Sequence, residues 1–461
     1  GGQYAAKAAA DFVAQIFAEV AAPEPTPAVL PMASQDGGES AADPAQAPAE
    51  PAGRPGEGMA PLQDQNILIL GLGASGLAMA RWCVRCGAHV TVADTRQLPP
   101  QLAALQQELP QVRFVAGAFG AHLVQGQGLH AVYRSPGLSP DSIAPVFVAA
   151  SAMGISTGGE LSLYSMALAA LRAAHGYAPA VLAITGTNGK TTVTSLTGQL
   201  VERAGKTVAV AGNIGPTLLD TLASHIDAGT LPQVWVLELS SFQLDGVVDF
   251  EPTAATVLNI TQDHLDWHGD MQAYAAAKAR IFGQSAVMVL NRDEPAVMAM
   301  LPEPVRVKLQ KPQQRAHTTF GGDMPRRPGD FGIAMVSGMA WLARALESDE
   351  TRKRGRSEEP ELHIQRLMPA DALRIRGRHN ACNALAALAL AQAAGCALAP
   401  MLYGLREYRG EPHRVEPIGM VAGVEYFDDS KGTNVGATVA ALSGLGADRR
   451  LVVILGGEGK G

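Results

Sequence analysis

From Asn66 onward the chain alternates short apolar runs with segments whose apolar residues recur at helical spacing. NILIL reads as a strand, 76–87 as a helix and HVTVAD as a second strand, and the rhythm continues past VYRSPG. A second block opens at VLAITGTNGKTT, again strand, glycine turn and helix. It adds strands at VWVLEL and AATVLNI and helices at 272–282 and 380–394. A third block opens near Glu411, with GVEYFDDS, a helix at 434–445 and a strand at LVVILGG. Strand-length runs alternating with helical segments predict βαβ units, and hence an α/β fold with mostly parallel sheets. Ahead of these blocks, Phe12, Val13, Ile16, Phe17 and Val20 are spaced as on one helical face. Residues 21–61 are rich in Pro, Ala and Gly with few large apolar side chains, and cannot bury enough surface to offset ordering entropy. Residues 1–61 are therefore expected to be a flexible extension.

Length supports the count of blocks: 461 residues suggest about three domains. With 47% hydrophobic and 17% charged residues the composition is globular. A net charge of −7 gives no general reason to expect nucleic-acid or membrane binding, so any anion site must be a local cluster. The charged stretch at 346–360 reads as a surface insertion. Four cysteines are too few for a disulfide scaffold, which fits a reducing compartment, the cytoplasm. Cys83 and Cys86 form a CxxC inside a helical segment with no second pair at zinc spacing, so packing is their expected role. No apolar run approaches the ~18–20 residues that span a bilayer. The first residues lack an initiator Met and the basic stretch of a secretory signal. The last, LVVILGGEGKG, stop just after a strand-and-glycine turn, and further residues are expected beyond Gly461.

The chemistry concentrates at two glycine turns. Gly71-Leu-Gly73-Ala-Ser-Gly76 follows a strand and opens a helix, with Asp94 at the end of the next strand. Such glycines permit a tight turn, and the helix N-terminus offers free N–H groups to a phosphate. Thr185-Gly186-Thr187-Asn188-Gly189-Lys190-Thr191-Thr192 is a shortened P-loop. Gly186 and Gly189 free the backbone to wrap phosphates, Lys190 supplies a charge for the β/γ oxygens, and the Thr191 hydroxyl is placed for Mg²⁺. Three further segments follow strands with polar residues: Gly212-Asn213-Ile214-Gly215, Glu238-Leu-Ser240-Ser241-Phe242-Gln243 and Asp263-His264-Leu-Asp266. Residues just past strand C-termini face the ligand crevice of a parallel sheet, which makes Glu238 and His264 candidate Mg²⁺ ligands or orienting groups. Lys278, alone on its helix, reads by itself as a solvated surface residue.

Together these segments resemble the Mur ligase family, over roughly 62–461. GTNGKTT resembles the family's ATP loop. GNIG, ELSSFQL, DHLDWH with Lys278 in the following helix, RGRHNACNALAA, PHR and DDSKGTN resemble its other blocks in the expected order. GLGASG, DTR, SPG and DDSKGTN point to the member that adds D-glutamate to UDP-N-acetylmuramoyl-L-alanine. The resemblance implies an α/β protein of three domains: a Rossmann-like UDP-substrate domain at 62–157, a central P-loop-type ATPase domain at 158–410, and a Rossmann-like amino-acid domain beginning at 411–461. It implies that Ser75, Asp94, Arg96 and Ser135 contact the UDP-sugar, and that Asn213 meets substrate or nucleotide. Gly186, Thr187, Asn188, Gly189, Lys190, Thr191 and Thr192 would hold ATP, with His379, Asn380, Arg414, Asp429 and Lys431 completing that site. Thr191, Glu238 and His264 would serve Mg²⁺. Lys278 would be the family's carbamylated lysine, whose added carboxylate binds a second Mg²⁺, reversing its reading as a surface residue. Lys190, His264 and Lys278 are the expected catalytic groups. Thr433 and Lys460 would face D-glutamate, with further carboxylate-binding residues beyond Gly461. Two positions depart from the family's habit: Arg134 stands before SPG where an apolar residue is usual, and Gly432 stands in DDSKGTN where Ala is common.

The implied enzyme is an ATP-dependent peptide ligase of peptidoglycan precursor synthesis, a cytoplasmic monomer with ATP and Mg²⁺ as cofactors and no nucleic-acid or membrane partner. A carboxylate is a poor electrophile, so the γ-phosphoryl of ATP would first make it an acyl phosphate, and an amine would then displace phosphate. Bringing two anions together calls for screening by Mg²⁺, Lys190 and Arg414. Competing readings are another ligase of the superfamily, such as a folylpolyglutamate synthase, an NAD-dependent oxidoreductase, or a regulatory P-loop switch. The oxidoreductase would explain GLGASG but leave GTNGKTT idle.

Overall fold

Strand β1 (Asn66–Leu70) buries Ile67 and Ile69 on one face and Leu68 and Leu70 on the other. A strand apolar on both faces suits a parallel sheet covered by helices on each side. In the computed structural model, which describes residues 61–308, 312–348, 361–446 and 449–457, this is what forms. β1 pairs in parallel with β2 (His89–Asp94) and β4 (Ala131–Arg134). With β3 (Arg113–Ala116) and β5 (Ser156–Gly159) they make a five-stranded sheet in the order β3-β2-β1-β4-β5. Helices α1 (Ala74–Arg85), α2 (Leu102–Glu108) and α3 (Pro140–Ala152) connect its strands. Strand order reverses between β1 and β4, and the crevice at such a switch point is where α/β sheets bind ligands.

Helix α4 (Glu160–His175) leads to a second sheet of six parallel strands in the order β11-β10-β9-β6-β8-β7. Its strands are β6 (Ala180–Thr185), β7 (Val208–Gly212), β8 (Val234–Glu238), β9 (Ala254–Val257), β10 (Val287–Asn291) and β11 (His317–Phe320). Helices α5 (Lys190–Arg203), α6 (Leu218–Ala228), α7 (Ser241–Leu244), α8 (Leu265–His268), α9 (Met271–Ala279) and α10 (Pro295–Met298) follow in turn. The turn after β6 lies between β8 and β9, the second switch point. An antiparallel sheet of β12 (Phe331–Val336), β13 (Met339–Glu347) and β14 (Leu362–Pro369) was not foreseen from the pattern. Helix α11 (Arg378–Ala393) is buried along almost its whole length against the central sheet, and α12 (Leu398–Glu407) packs beside it.

Beyond Glu411 the described residues form the strands β15 (Glu416–Val421) and β16 (Val424–Asp428), a two-stranded sheet, and helix α13 (Val435–Leu445). LVVILGG, expected as a strand, carries none: Val452 and Ile454 are exposed and no neighbouring strand supplies a ladder among the described residues. The expected extension up to residue 60, most of the charged stretch at 346–360, and Lys460 lie outside the described residues.

One face of each parallel sheet contributes to a single apolar cluster. Ile67, Ile69 and Val92 of the first sheet and Val181, Ala183, Trp235 and Leu237 of the second belong to it, with Leu161, Tyr164 and Leu171 of α4 between them. Arg81 and Arg85 on α1 pair across this boundary with Asp220 and Asp227 of α6.

Candidate active site

The first glycine turn is braced from behind. Gly71 has φ +87°, a left-handed backbone that favours glycine, and a Cβ there would sit 2.9 Å from Ser135 Oγ. A Cβ at Gly76 would strike the Gly71 carbonyl. The Ser135 hydroxyl donates to the Gly71 carbonyl at 2.9 Å, tying the end of β4 to the end of β1. Asp94, 2% exposed, accepts from the Leu72 amide at 2.8 Å and takes the Arg96 guanidinium through both oxygens at 2.9 and 2.8 Å. Burial opposes its ionisation, but the hydrogen bonds from Arg96 and Leu72 outweigh it and hold the carboxyl below its usual range. Helix α1 begins without a side-chain cap, so its first amides stay free at the crevice, with Ser75 in the first turn. Ser75, Asp94, Arg96 and Ser135 are thus gathered around one turn, with Arg96 half exposed and its guanidinium held on Asp94.

The second turn is built more tightly. Thr187 and Asn188 are clamped from the β9 side: the Thr187 amide donates to the Asn259 carbonyl at 3.0 Å, the Asn188 amide to Asn259 Oδ1 at 2.8 Å, and Asn259 Nδ2 returns to the Asn188 carbonyl at 3.1 Å. The Thr187 hydroxyl meets the Tyr274 hydroxyl at 3.0 Å. Gly189, with φ +81°, caps α5 and faces the Asn383 side chain. The Lys190 ammonium folds back onto the Gly186 and Thr187 carbonyls, each at 3.0 Å. Burial lowers its pKa, while Glu238 and Asp263 act to raise it and Arg414 to lower it further.

Behind the loop lies the part least legible in the sequence. Lys278, 2% exposed, donates to Thr185 Oγ1 at 3.1 Å and to the Gly186 carbonyl at 3.0 Å, and its ammonium lies 4.9 Å from the Tyr274 ring centroid. It is not a solvated surface residue. Burial first, and the Lys190 charge second, push its pKa well below the ordinary lysine value. Glu238 is 1% exposed; its Oε1 accepts from Asn213 Nδ2 at 3.3 Å, while Oε2 is buried with no hydrogen-bond partner. His264 begins α8 with φ +54°, its Nε2 3.5 Å from Asp263 Oδ2 and its ring 4.8 Å from that of Phe242. A buried carboxylate oxygen left unsatisfied, close enough to influence Lys190 and Lys278 electrostatically, is the environment that a divalent cation satisfies.

Of the remaining candidates, Arg414 reaches the same loop from later in the chain. Arg414 donates to the Thr191 hydroxyl at 2.9 Å. Asp429 Oδ1 accepts from the Val415 amide at 3.1 Å, and the Lys431 amide donates to the His413 carbonyl at 3.1 Å, so Arg414, Asp429 and Lys431 share one turn. Asn380 Oδ1 accepts from Asn383 at 3.1 Å, which sets Asn383 against Gly189. His379 lies half-buried beside Gly377 and Gly444, and burial lowers its pKa. Thr433 is exposed. Sequence reading passed over Asn259, Asn383 and Asn434. Asn434 donates to Asn188 Oδ1 at 2.8 Å while capping α13 through the Ala437 amide. Asn383 and Asn434 stood inside quoted motifs, which was the signal available; Asn259 lay just past a strand, where ligand-facing residues fall.

Two parallel sheets, each with a phosphate-type turn at its switch point, and a buried lysine–carboxylate cluster behind the second turn define a nucleotide-dependent transferase or ligase. The sequence matches the Mur ligase middle domain over residues 184–391 and the Mur ligase MurD-like N-terminal domain over 65–159. A UDP-N-acetylmuramoylalanine--D-glutamate ligase of Albidiferax ferrireducens is 73% identical over 400 residues, 87% of this chain and 79% of that protein. One from Polaromonas sp. is 62% identical over 486 aligned residues, 87% and 83% of the two chains. Among solved structures, a MurF ligase of Thermotoga maritima in complex with ADP has a TM-score of 0.45 at 14% identity, covering 82% of this chain and 71% of that one. The chain belongs to the Mur ligase family, on its MurD branch.

Proposed function

We infer that the chain is an ATP-dependent ligase that joins D-glutamate to UDP-N-acetylmuramoyl-L-alanine in peptidoglycan precursor synthesis. Its relatives of 57–73% identity carry that activity in their names. The observation that carries the reading is the pair of phosphate turns, one in each parallel sheet, with Lys190 half-buried in the second and Glu238 and Lys278 buried behind it.

The first turn is suited to the UDP diphosphate through the free amides of α1, with Arg96 half exposed beside it; Asp94 and Ser135 hold the turn's shape. The second turn takes the ATP phosphates. Lys190, now satisfied by two loop carbonyls, exchanges them for phosphate oxygens when nucleotide enters. The substrate carboxylate oxygen attacks the γ-phosphorus, and the bond to the ADP oxygen breaks. The amine of D-glutamate then forms the new C–N bond, phosphate leaves with the C–O bond, and the amine's surplus proton passes to solvent. Lys190 and Arg414 stabilise the charge that accumulates in the first step.

Glu238, Thr191 and His264 are the residues that would hold Mg²⁺, which when bound screens the phosphate oxygens. Lys278 is poised to join them as a carbamate. Burial favours its neutral amine form, whose nitrogen can add to carbon dioxide and lose a proton to give an anionic carboxylate. We divide the chain at 62–157, 158–410 and 411–461, and take Thr433 and Lys460 as the residues that serve D-glutamate. A cytoplasmic setting is supported by four cysteines that are all free and buried. Among the described residues no helix is long and apolar enough to cross a membrane.

The test is phosphate release from ATP, screened over amino acids with and without the UDP-linked acceptor. Release should require both UDP-N-acetylmuramoyl-L-alanine and D-glutamate. Release without an acceptor, or equal release with L-glutamate, would overturn the assignment. In the same assay Lys278→Ala should lose turnover and recover part of it with added formate or acetate, which fill the space of the missing carboxylate. No recovery would remove the carbamate from the reading.

A further inference from the structure

Arg134 ends β4, and it is only 6% exposed. Its Nη2 donates to the Asp245 carboxylate at 2.7 Å and to the Asp245 carbonyl at 3.3 Å; Nη1 reaches the Leu138 carbonyl at 3.5 Å. The guanidinium carbon lies 5.4 Å from the Trp267 ring centroid and 5.9 Å from that of Phe147. Leu138 and Phe147 belong to the first sheet's connections, Asp245 and Trp267 to the second's. Asp245 closes the short helix that follows Glu238, and Trp267 sits in the helix that begins at His264. Arg134 is covalently joined to Ser135, the residue that braces the first glycine turn.

Contacts continue from there without a gap. The Trp267 ring lies 4.6 Å from Phe242 and 4.4 Å from His268, and Phe242 meets His264 at 4.8 Å. His268 lies 5.3 Å from Tyr274, which touches Thr187 through its hydroxyl and Lys278 through its ring. An ion pair with its arginine buried is weak evidence for stability, because desolvation of the guanidinium offsets the attraction and an apolar side chain of similar size does as well. What a planar guanidinium held through both Nη atoms supplies instead is a fixed geometry.

We propose that Arg134 is a positioning residue for the ligase reaction. It pins the turn that holds the UDP-linked substrate to the two loops that carry Glu238 and His264, and so sets the approach of the substrate carboxyl to the ATP phosphate. It touches neither substrate and acts through Ser135 on one side and Trp267 on the other. The proposal rests on the function inferred above.

The experiment uses the full chain with Arg134→Leu, Arg134→Lys, Asp245→Asn, Asp245→Leu and the double variant Arg134→Leu/Asp245→Leu. Affinities for UDP-N-acetylmuramoyl-L-alanine and for ATP are measured separately, alongside kcat for glutamate-dependent phosphate release. Misplacement of bound partners is costly, so Arg134→Leu should lower kcat by roughly ten- to a hundredfold. Each substrate taken alone should still bind within about threefold of wild type. Arg134→Lys should recover only part of kcat, lacking the planar fork. The double variant should be no worse than the poorer single one, since both remove the same pin. A kcat within about twofold of wild type in Arg134→Leu overturns the proposal. So does weakened UDP-substrate binding that accounts for the whole loss, or a double variant whose loss is the product of the two singles. If Arg134→Leu does not fold, Asp245→Asn, which keeps the shape, carries the same readouts. A wild type that releases no phosphate with any amino acid sinks the ligase reading itself, a result distinct from an active wild type and an equally active Arg134→Leu.

Discussion

Glu160 illustrates what a single side chain adds at the residue scale. It is 4% exposed at the start of α4, and its carboxyl accepts from the Leu219 amide at 3.1 Å and from Leu218 and the Ser75 hydroxyl. Burial pushes its pKa from 4.5 up to about 7. Across that window the folded chain keeps a proton that the unfolded chain has released, so stability falls as pH rises through it. The full effect is on the order of 3 kcal/mol at 1.36 kcal/mol per pH unit. Glu160→Gln, neutral throughout, should remove that slope. Its thermal midpoint relative to wild type should climb by a few degrees between pH 5 and 8; a constant difference across that range would contradict the argument. Such residues were only partly legible. The glycines and Lys190 declare themselves through local spacing, because a phosphate turn is a local structure. Lys278 looked like a surface lysine, since burial is decided by α9 packing under the β6 turn, which no local pattern reports. Asn259, Asn383 and Asn434 are bound to the loop by contacts distant in sequence.

At the scale of elements, the parallel strands were readable because both their faces are buried and their sequences are near-continuous apolar runs. The antiparallel β12–β14 sheet was not. Strand β13, MAWLARALE, is rich in helix formers, and pairing with β12 and β14 overrides that preference. LVVILGG errs the other way, strand-like in composition but with no ladder among the described residues. The close approach of β7 and β8 gives a sharper test. Gly212 has φ +128°, and a Cβ there would strike the Glu238 carbonyl, which also accepts from the Asn213 amide at 2.8 Å. Gly212→Ala should destabilise by about 2–4 kcal/mol, combining strain and overpacking, and should depress turnover by moving Glu238. Gly246 also has a positive φ, but open space around it, so Gly246→Ala should cost only about 1 kcal/mol. Urea unfolding of the two variants decides this; equal losses would mean that the clash is relieved.

Across the whole molecule, the two phosphate turns belong to different sheets and are braced by different residues. Lys190→Ala should therefore abolish glutamate-dependent phosphate release, by roughly a hundredfold or more. Binding of the UDP-linked substrate should stay within about threefold. Calorimetric titration of both ligands checks this, and parallel losses would contradict the separation. The two sheets are nonetheless not independent bodies. Ile67, Ile69 and Val92 belong to the same apolar cluster as Val181, Trp235 and Leu237, with α4 threaded between them. On heating they should melt in a single cooperative step rather than one after the other. A fragment begun at α4, with the first sheet cut away, would expose that oily face to water and clump, so the half built on the second sheet cannot be had alone.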